Sequence, residues 1–227
     1  MEVIRSKNPK EEAGMALTKT LQKYRTRPIL LMLSGGSASS ILEFTATTAI
    51  NSNVTITVLD ERFSTDSQIN NFAQIEATNF YKEAMKAGVN VISTVVGVGD
   101  MLKEAEVKWN NNLHHWRENN PDGVILATMG IGSDGHIAGI IFGGEQVDFS
   151  NDNWIVSYVV PKEINQYTER ITPTFTFLRQ QIDEVIVYAT GEDKRALIKK
   201  IINQDNNLEY IPASILTELP SVKIFTD

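Results

Sequence analysis

"GVILATMGIGSDGHIAG", residues 123–139, decides how this chain is to be read. Its opening is a short apolar run bounded by glycines, which reads as a buried strand of a parallel sheet. The six residues from Gly130 then spell G-x-G-x-x-G, the letters of a dinucleotide-binding loop. The context opposes that reading. A dinucleotide loop opens a helix of several turns at its third glycine, yet Gly139, Gly143 and Gly144 interrupt the segment after Gly135. Asp134 would set a negative charge where a pyrophosphate has to lie. The loop also falls past the middle of the chain. The other reading is a loop that presents His136, one of three histidines in the chain. An unperturbed imidazole titrates near 6.5, which suits a general base. A lone loop histidine is more often a hydrogen-bonded bystander, but a Gly-rich setting at a strand end shifts the balance toward chemistry.

Working outward, strands and helices alternate. Residues 9–25 are amphipathic, with acids early and bases late, matching a helix dipole. "PILLML" reads as a buried strand, followed by "SGGS" and a helical run to Ile50. "VTITVLD" is the next strand. "INNFAQIEATNFYKEAMKAG" reads as one helix ending at Gly88, and "VNVISTVVG" as a strand. "DMLKEAEVKWNNNLHHWRE" is a helix with Asp100 as its N-cap. After the opening strand come "WIVSYVV" and "EVIVYATG", the helix "EDKRALIKKIIN" and a terminal strand "SVKIF". Such alternation predicts an α/β fold, a three-layer α/β/α sandwich on a mostly parallel central sheet. No linker or repeat interrupts it, so residues 1–227 are expected to form a single domain. The least regular stretch is 131–151, and irregular loops of that length are usually functional or mobile.

Ligands of such sheets bind beyond the carboxyl ends of the strands. Four polar clusters fall there: Ser34–Ser37, Asp60–Arg62, Gly130–His136 and Gly191–Lys194. "LSGGS" lies between a strand and a helix, where glycines and free N–H groups receive anions, although a plain turn with Ser37 as N-cap explains it equally well. In "LDERF", Asp60 and Arg62 share a direction if the chain stays extended. Arg170 and Lys194 are cations at the same sheet edge. His114 and His115 point about 100° apart on a helix, so they do not form a metal site, and no other metal-ligand spacing is visible.

Composition narrows the partners. The formal net charge of −7 disfavours a nucleic-acid surface. The absence of cysteine removes thiol nucleophiles and zinc–thiolate sites. There is no signal-peptide pattern and no apolar run long enough for a bilayer, so a cytoplasmic, soluble protein is expected, a monomer or small homo-oligomer.

The ordered set "LSGGS", "LDERF", "NNFA", "GIGSDGHIAG", "RIT", "TGEDKRAL" and "IPASIL" resembles the 6-phosphogluconolactonases, relatives of the glucosamine-6-phosphate deaminases. The resemblance runs from about residue 28 to 216. It implies a sugar-phosphate site at the strand ends and no cofactor. The substrate implied is 6-phospho-D-glucono-1,5-lactone, hydrolysed to 6-phosphogluconate. His136 would be the base that activates water, with Asp134 orienting it. Gly35, Gly36 and Ser37 would anchor the phosphate, with Arg170 and Lys194 supplying charge. Arg62 would serve either the oxyanion or the phosphate. Asn71, Gly132 and Gly135 would lie beside the substrate. Asp60 is similar in position to the deaminase base and is retained here. Two positions favour the lactonase branch: Arg62 stands where the deaminase pattern has an aromatic, and Ile141 where it has a glutamate. Ile137, Gly139 and Gly143 depart from the usual lactonase loop. Two alternatives remain: a deaminase or isomerase on the same fold, and a non-catalytic sugar-phosphate sensor. The 27 residues before Pro28 are too few for the helix-turn-helix that usually accompanies a sensor.

Overall fold

The computed structural model describes residues 1–141, 143, 147–203 and 208–227. Gly144 lies outside them. The apolar runs become strands β2 (Ile29–Leu33), β3 (Val54–Val58) and β6 (Val124–Met129), buried at every position. With β1 (Glu2–Arg5), β5 (Asn90–Val91), β9 (Glu184–Tyr188) and β10 (Val222–Thr226) they form a seven-stranded sheet, order β1-β10-β9-β6-β2-β3-β5. Every pairing in it is parallel. The chain leaves β2 toward β3 and β5, then returns to the other side of β2 as β6. The order therefore reverses between β2 and β6, and that reversal opens a crevice at the strands' carboxyl ends.

Helices α1 (Pro9–Lys23), α2 (Asn71–Ala77), α3 (Asn79–Lys86), α4 (Leu102–Asn119), α5 (Phe175–Gln181) and α6 (Glu192–Ile202) accompany the sheet. The α/β fold with a parallel central sheet is as expected. The second sheet is not. "WIVSYVV", expected as a further strand, supplies β7 (Ile155–Val159), which pairs antiparallel with β8 (Glu169–Pro173) and, through it, is joined to the two-residue β4 (Glu61–Arg62) in a sheet of its own. Helix α4 touches both sheets. Trp116 Nε1 donates to Thr55 Oγ1 of β3 at 3.1 Å, and Glu106 Oε2 accepts from the Ser157 backbone and hydroxyl of β7.

Other departures have local causes. The helix expected over 69–88 is two helices, because Thr78 is extended and its hydroxyl accepts from Tyr81 N, capping α3. The helical run to Ile50 is two 3₁₀ turns, Gly36–Phe44 and Thr47–Ala49, where Ser39, Ser40 and Thr45 hydroxyls bond back to carbonyls three or four residues earlier. Gly35, not Ser37, occupies the N-cap position of the first. Asp100 closes a turn onto Gly97 N, and Met101 precedes α4 in its place. The strand expected over 89–97 pairs only at Asn90–Val91 before the chain turns to carry Thr94 toward Glu61. No described helix is long and apolar enough to cross a membrane.

The small sheet grips the loop after β6. Thr172 Oγ1 donates to Ala138 O. The Tyr158 hydroxyl donates to Gly139 O at 2.5 Å and accepts from Ile141 N at 3.0 Å. Ala138 is held at φ 50°, the one non-glycine with positive φ among the described residues. A Cβ in that region costs about 1–2 kcal/mol, partly offset by the chain entropy glycine would lose. Ala138→Gly is therefore expected to stabilise the fold by up to about 1 kcal/mol, read as a raised urea midpoint at unchanged slope. A lower midpoint would mean that the left-handed turn is not strained.

Candidate active site

The crevice is a cleft of about 390 Å³, ordinary for a small-molecule site. β2 delivers Gly35, Gly36 and Ser37 to it, and β3 leads to Asp60 and Arg62. Asn71 comes from the first turn of α2, Arg170 from β8 and Lys194 from the first turn of α6. Gly132 and His136 come from the loop after β6. Of the catalytic and substrate-binding residues expected from the sequence, Asp134 and Gly135 are not on its wall. Gly135 forms the turn instead, its N–H on Gly132 O and its carbonyl accepting from Ala213 N of "IPASIL". Asp134 acts behind the histidine.

The loop is not a dinucleotide loop. No helix opens at Gly135 among the described residues up to Ile141. Residues 131–140 double back on themselves through bridges between Ile131 and Ile137 and between Ile137 and Ile140. All three isoleucines are buried, so they root the loop in the core. The turn aims the imidazole. His136 Nδ1 lies 2.6 Å from Asp134 Oδ1, which also accepts the His136 backbone N–H at 3.2 Å. A carboxylate can only accept, so Nδ1 carries a proton, and in the neutral imidazole the lone pair is on Nε2. Nε2 has no hydrogen-bond partner among the described residues. Gly132 is required because a Cβ there would overlap the His136 ring and the Asp134 carboxylate.

The His136 hydrogen bond holds the Asp134 carboxyl down to about 2, from an ordinary 3.8. A carboxyl depressed by folding stabilises the fold above its unfolded pKa, and that contribution is lost as pH falls through the folded one. Asp134→Asn is thus expected to be less stable than the parent near neutrality. The gap should close between about pH 4 and pH 2, as followed by urea denaturation. A gap constant across that range would show that the contact does not bias folding.

Asp60 and Arg62 do point the same way, and Glu61 turns away. The buried Glu61 carboxylate accepts from Arg62 N at 2.8 Å, Asn71 N at 2.5 Å, Phe72 N at 3.0 Å and Thr94 Oγ1 at 2.6 Å. It thereby ties β4 to the start of α2, and burial pushes it up to about 7 against the pull of those bonds. Asn71 Nδ2 donates to the Asp60 carbonyl at 2.9 Å, while its Oδ1 is buried without a partner. Burial also raises the Asp60 carboxyl, opposed first by Arg170, then by Arg62 and His136. Cations therefore converge on this cleft in a protein of net charge −7.

The wall also holds Asn165, Gln166 and Tyr167, which sequence reading did not single out. They lie between β7 and β8, and their only signal was proximity to Arg170. Ile141 is buried and off the wall. His114 stacks on Trp154 at 3.8 Å and His115 contacts Asn119, so both pack on α4 as its surface and neither reaches the cleft.

The arrangement is that of an α/β enzyme: a parallel sheet with a cation-lined cleft at its reversal point and an oriented imidazole on its rim. Residues 9–223 match the family described as glucosamine-6-phosphate isomerases/6-phosphogluconolactonase, and the chain belongs to that family. Among solved structures it is similar to the 6-phosphogluconolactonase of Thermotoga maritima, at 18% identity over 99% of this chain and 98% of that one, with a TM-score of 0.73. The enzyme of Trypanosoma brucei gives 15% identity, coverage of 100% and 95%, and a TM-score of 0.75. That of Shewanella baltica gives 16%, 99% and 96%, and 0.76. Comparison with curated sequences finds no significant match.

Proposed function

We propose that this protein is a 6-phosphogluconolactonase, hydrolysing 6-phospho-D-glucono-1,5-lactone to 6-phosphogluconate in the oxidative pentose phosphate pathway. It acts in the cytoplasm as one sugar-phosphate hydrolase domain spanning residues 1–227. The observation that carries the reading is the Asp134–His136 contact, which leaves Nε2 basic beside a cleft lined by Arg62, Arg170 and Lys194. His136 takes a proton from water as the water attacks C1, then gives one to the ring oxygen as the C1–O bond breaks. Asp134 stabilises the imidazolium formed between those steps. Gly35, Gly36 and Ser37 offer backbone and hydroxyl groups to the phosphate, and Arg170 and Lys194 supply charge. Remote phosphate binding of this kind fixes C1 against the attacking water. We assign Arg62, which stands directly across the β4–β8 ladder from Arg170, to the phosphate anchor and not to the oxyanion.

The test is a comparison of two substrates. The protein should accelerate opening of 6-phosphogluconolactone and release no ammonia from glucosamine 6-phosphate. Ammonia release without lactone opening would instead assign it to the deaminase branch, with Asp60 as its base.

A further inference from the structure

Arg62 and Arg170 are partners in register on antiparallel β4 and β8. Like charges directly opposite one another on a ladder repel. Neither makes an ion pair among the described residues, and Arg62 Nε is buried without a hydrogen-bond partner. The buried Asp60 carboxyl attracts both guanidiniums, but it forms no ion pair with either among the described residues, so their placement needs direct contacts as well. Tyr167 touches both. The Arg62 guanidinium carbon lies 4.2 Å from the centre of the Tyr167 ring. The Tyr167 carbonyl accepts from Arg170 Nε at 3.2 Å. Asn165 completes the brace, its Oδ1 accepting from Arg170 Nη2 at 2.9 Å and from Tyr167 N at 3.0 Å.

We propose that Tyr167 is a positioning residue of the anion site, its ring holding Arg62 and its backbone holding Arg170, so that both guanidiniums meet the same phosphate. This rests on the phosphate-anchor reading and goes beyond it. The aromatic face, not the hydroxyl, is the working part. A ring of this kind attracts a guanidinium through its π-electrons, an effect worth about a 5-fold change in affinity.

The experiment compares Tyr167→Phe with Tyr167→Leu in the full-length protein. Tyr167→Leu should raise KM for 6-phosphogluconolactone about 5-fold with kcat little changed. Tyr167→Phe should match the parent. Binding of inorganic phosphate, followed by phosphorus NMR, should weaken by the same factor in the leucine variant and not in the phenylalanine one. That readout needs no turnover, so the brace stands or falls separately from the lactonase reading. Equal damage in both variants would overturn the proposal, since the hydroxyl would then be the active part. So would a fall in kcat at constant KM, or phosphate binding unchanged in the leucine variant. Should the leucine variant fail to fold, reduced phosphate affinity in Tyr167→Phe alone is enough to overturn it.

Discussion

His136→Ala is expected to lower kcat for lactone hydrolysis at least about 100-fold, with KM changed little. The reason is geometric. Asp134 occupies Nδ1, which leaves Nε2 as the nitrogen free to accept a proton from water, and alanine removes it. The proposed phosphate anchor is built from other segments, the turn after β2, β4, β8 and α6, and is expected to survive the change. Glutamine at 136 should fail as badly as alanine, because an amide of similar size offers no basic nitrogen. The substrate opens spontaneously, so the loss is read as the excess over the uncatalysed rate. If His136→Ala keeps most of its kcat, the base lies elsewhere, and Asp60 is the next group to replace.

Arg170→Ala is expected to raise KM for the phosphorylated lactone by about 30-fold or more, the cost of truncating a buried charged hydrogen-bonding partner. Arg170 is only 4% exposed and is held at two points by the Asn165–Tyr167 segment, so its guanidinium is pre-set for an anion. It is also the leading cation acting on the buried Asp60, whose carboxyl should move further up when it is lost. Comparison with unphosphorylated glucono-1,5-lactone isolates the effect. There Arg170→Ala should change little, because there is no phosphate to hold. An equal loss on both lactones would contradict the anchor. Arg170→Lys should recover only part of the affinity, since an ammonium cannot reproduce the fork.

Much of this site was legible in the sequence because its parts sit at strand ends, and strand ends could be read from apolar runs. Ser34–Ser37, Asp60–Arg62 and Gly130–His136 follow β2, β3 and β6, whose burial at every position left an unbroken hydrophobic signal. The alternation of Asp60, Glu61 and Arg62 also followed from extended geometry. Elements without such a signal were missed. Strand β4 has two residues, and β8 hides in "ERITP", which is mostly polar. Both are held by tertiary pairing, not by local pattern. The antiparallel sheet they form was therefore not foreseen, nor was the Arg62–Arg170 juxtaposition it creates. Asn165 and Tyr167 were invisible for the same reason: they matter through contacts with a strand that had not been recognised. Spacing alone left the reach of Asp134 open, and the 2.6 Å contact with His136 supplies it.

Acid release from freshly generated 6-phosphogluconolactone tests the central claim most directly. Followed in weak buffer and corrected for spontaneous opening, the initial rate should be proportional to protein concentration, saturable in lactone and abolished by His136→Ala. A rate equal to the spontaneous one at every protein concentration, with the folded protein in hand, would contradict the account.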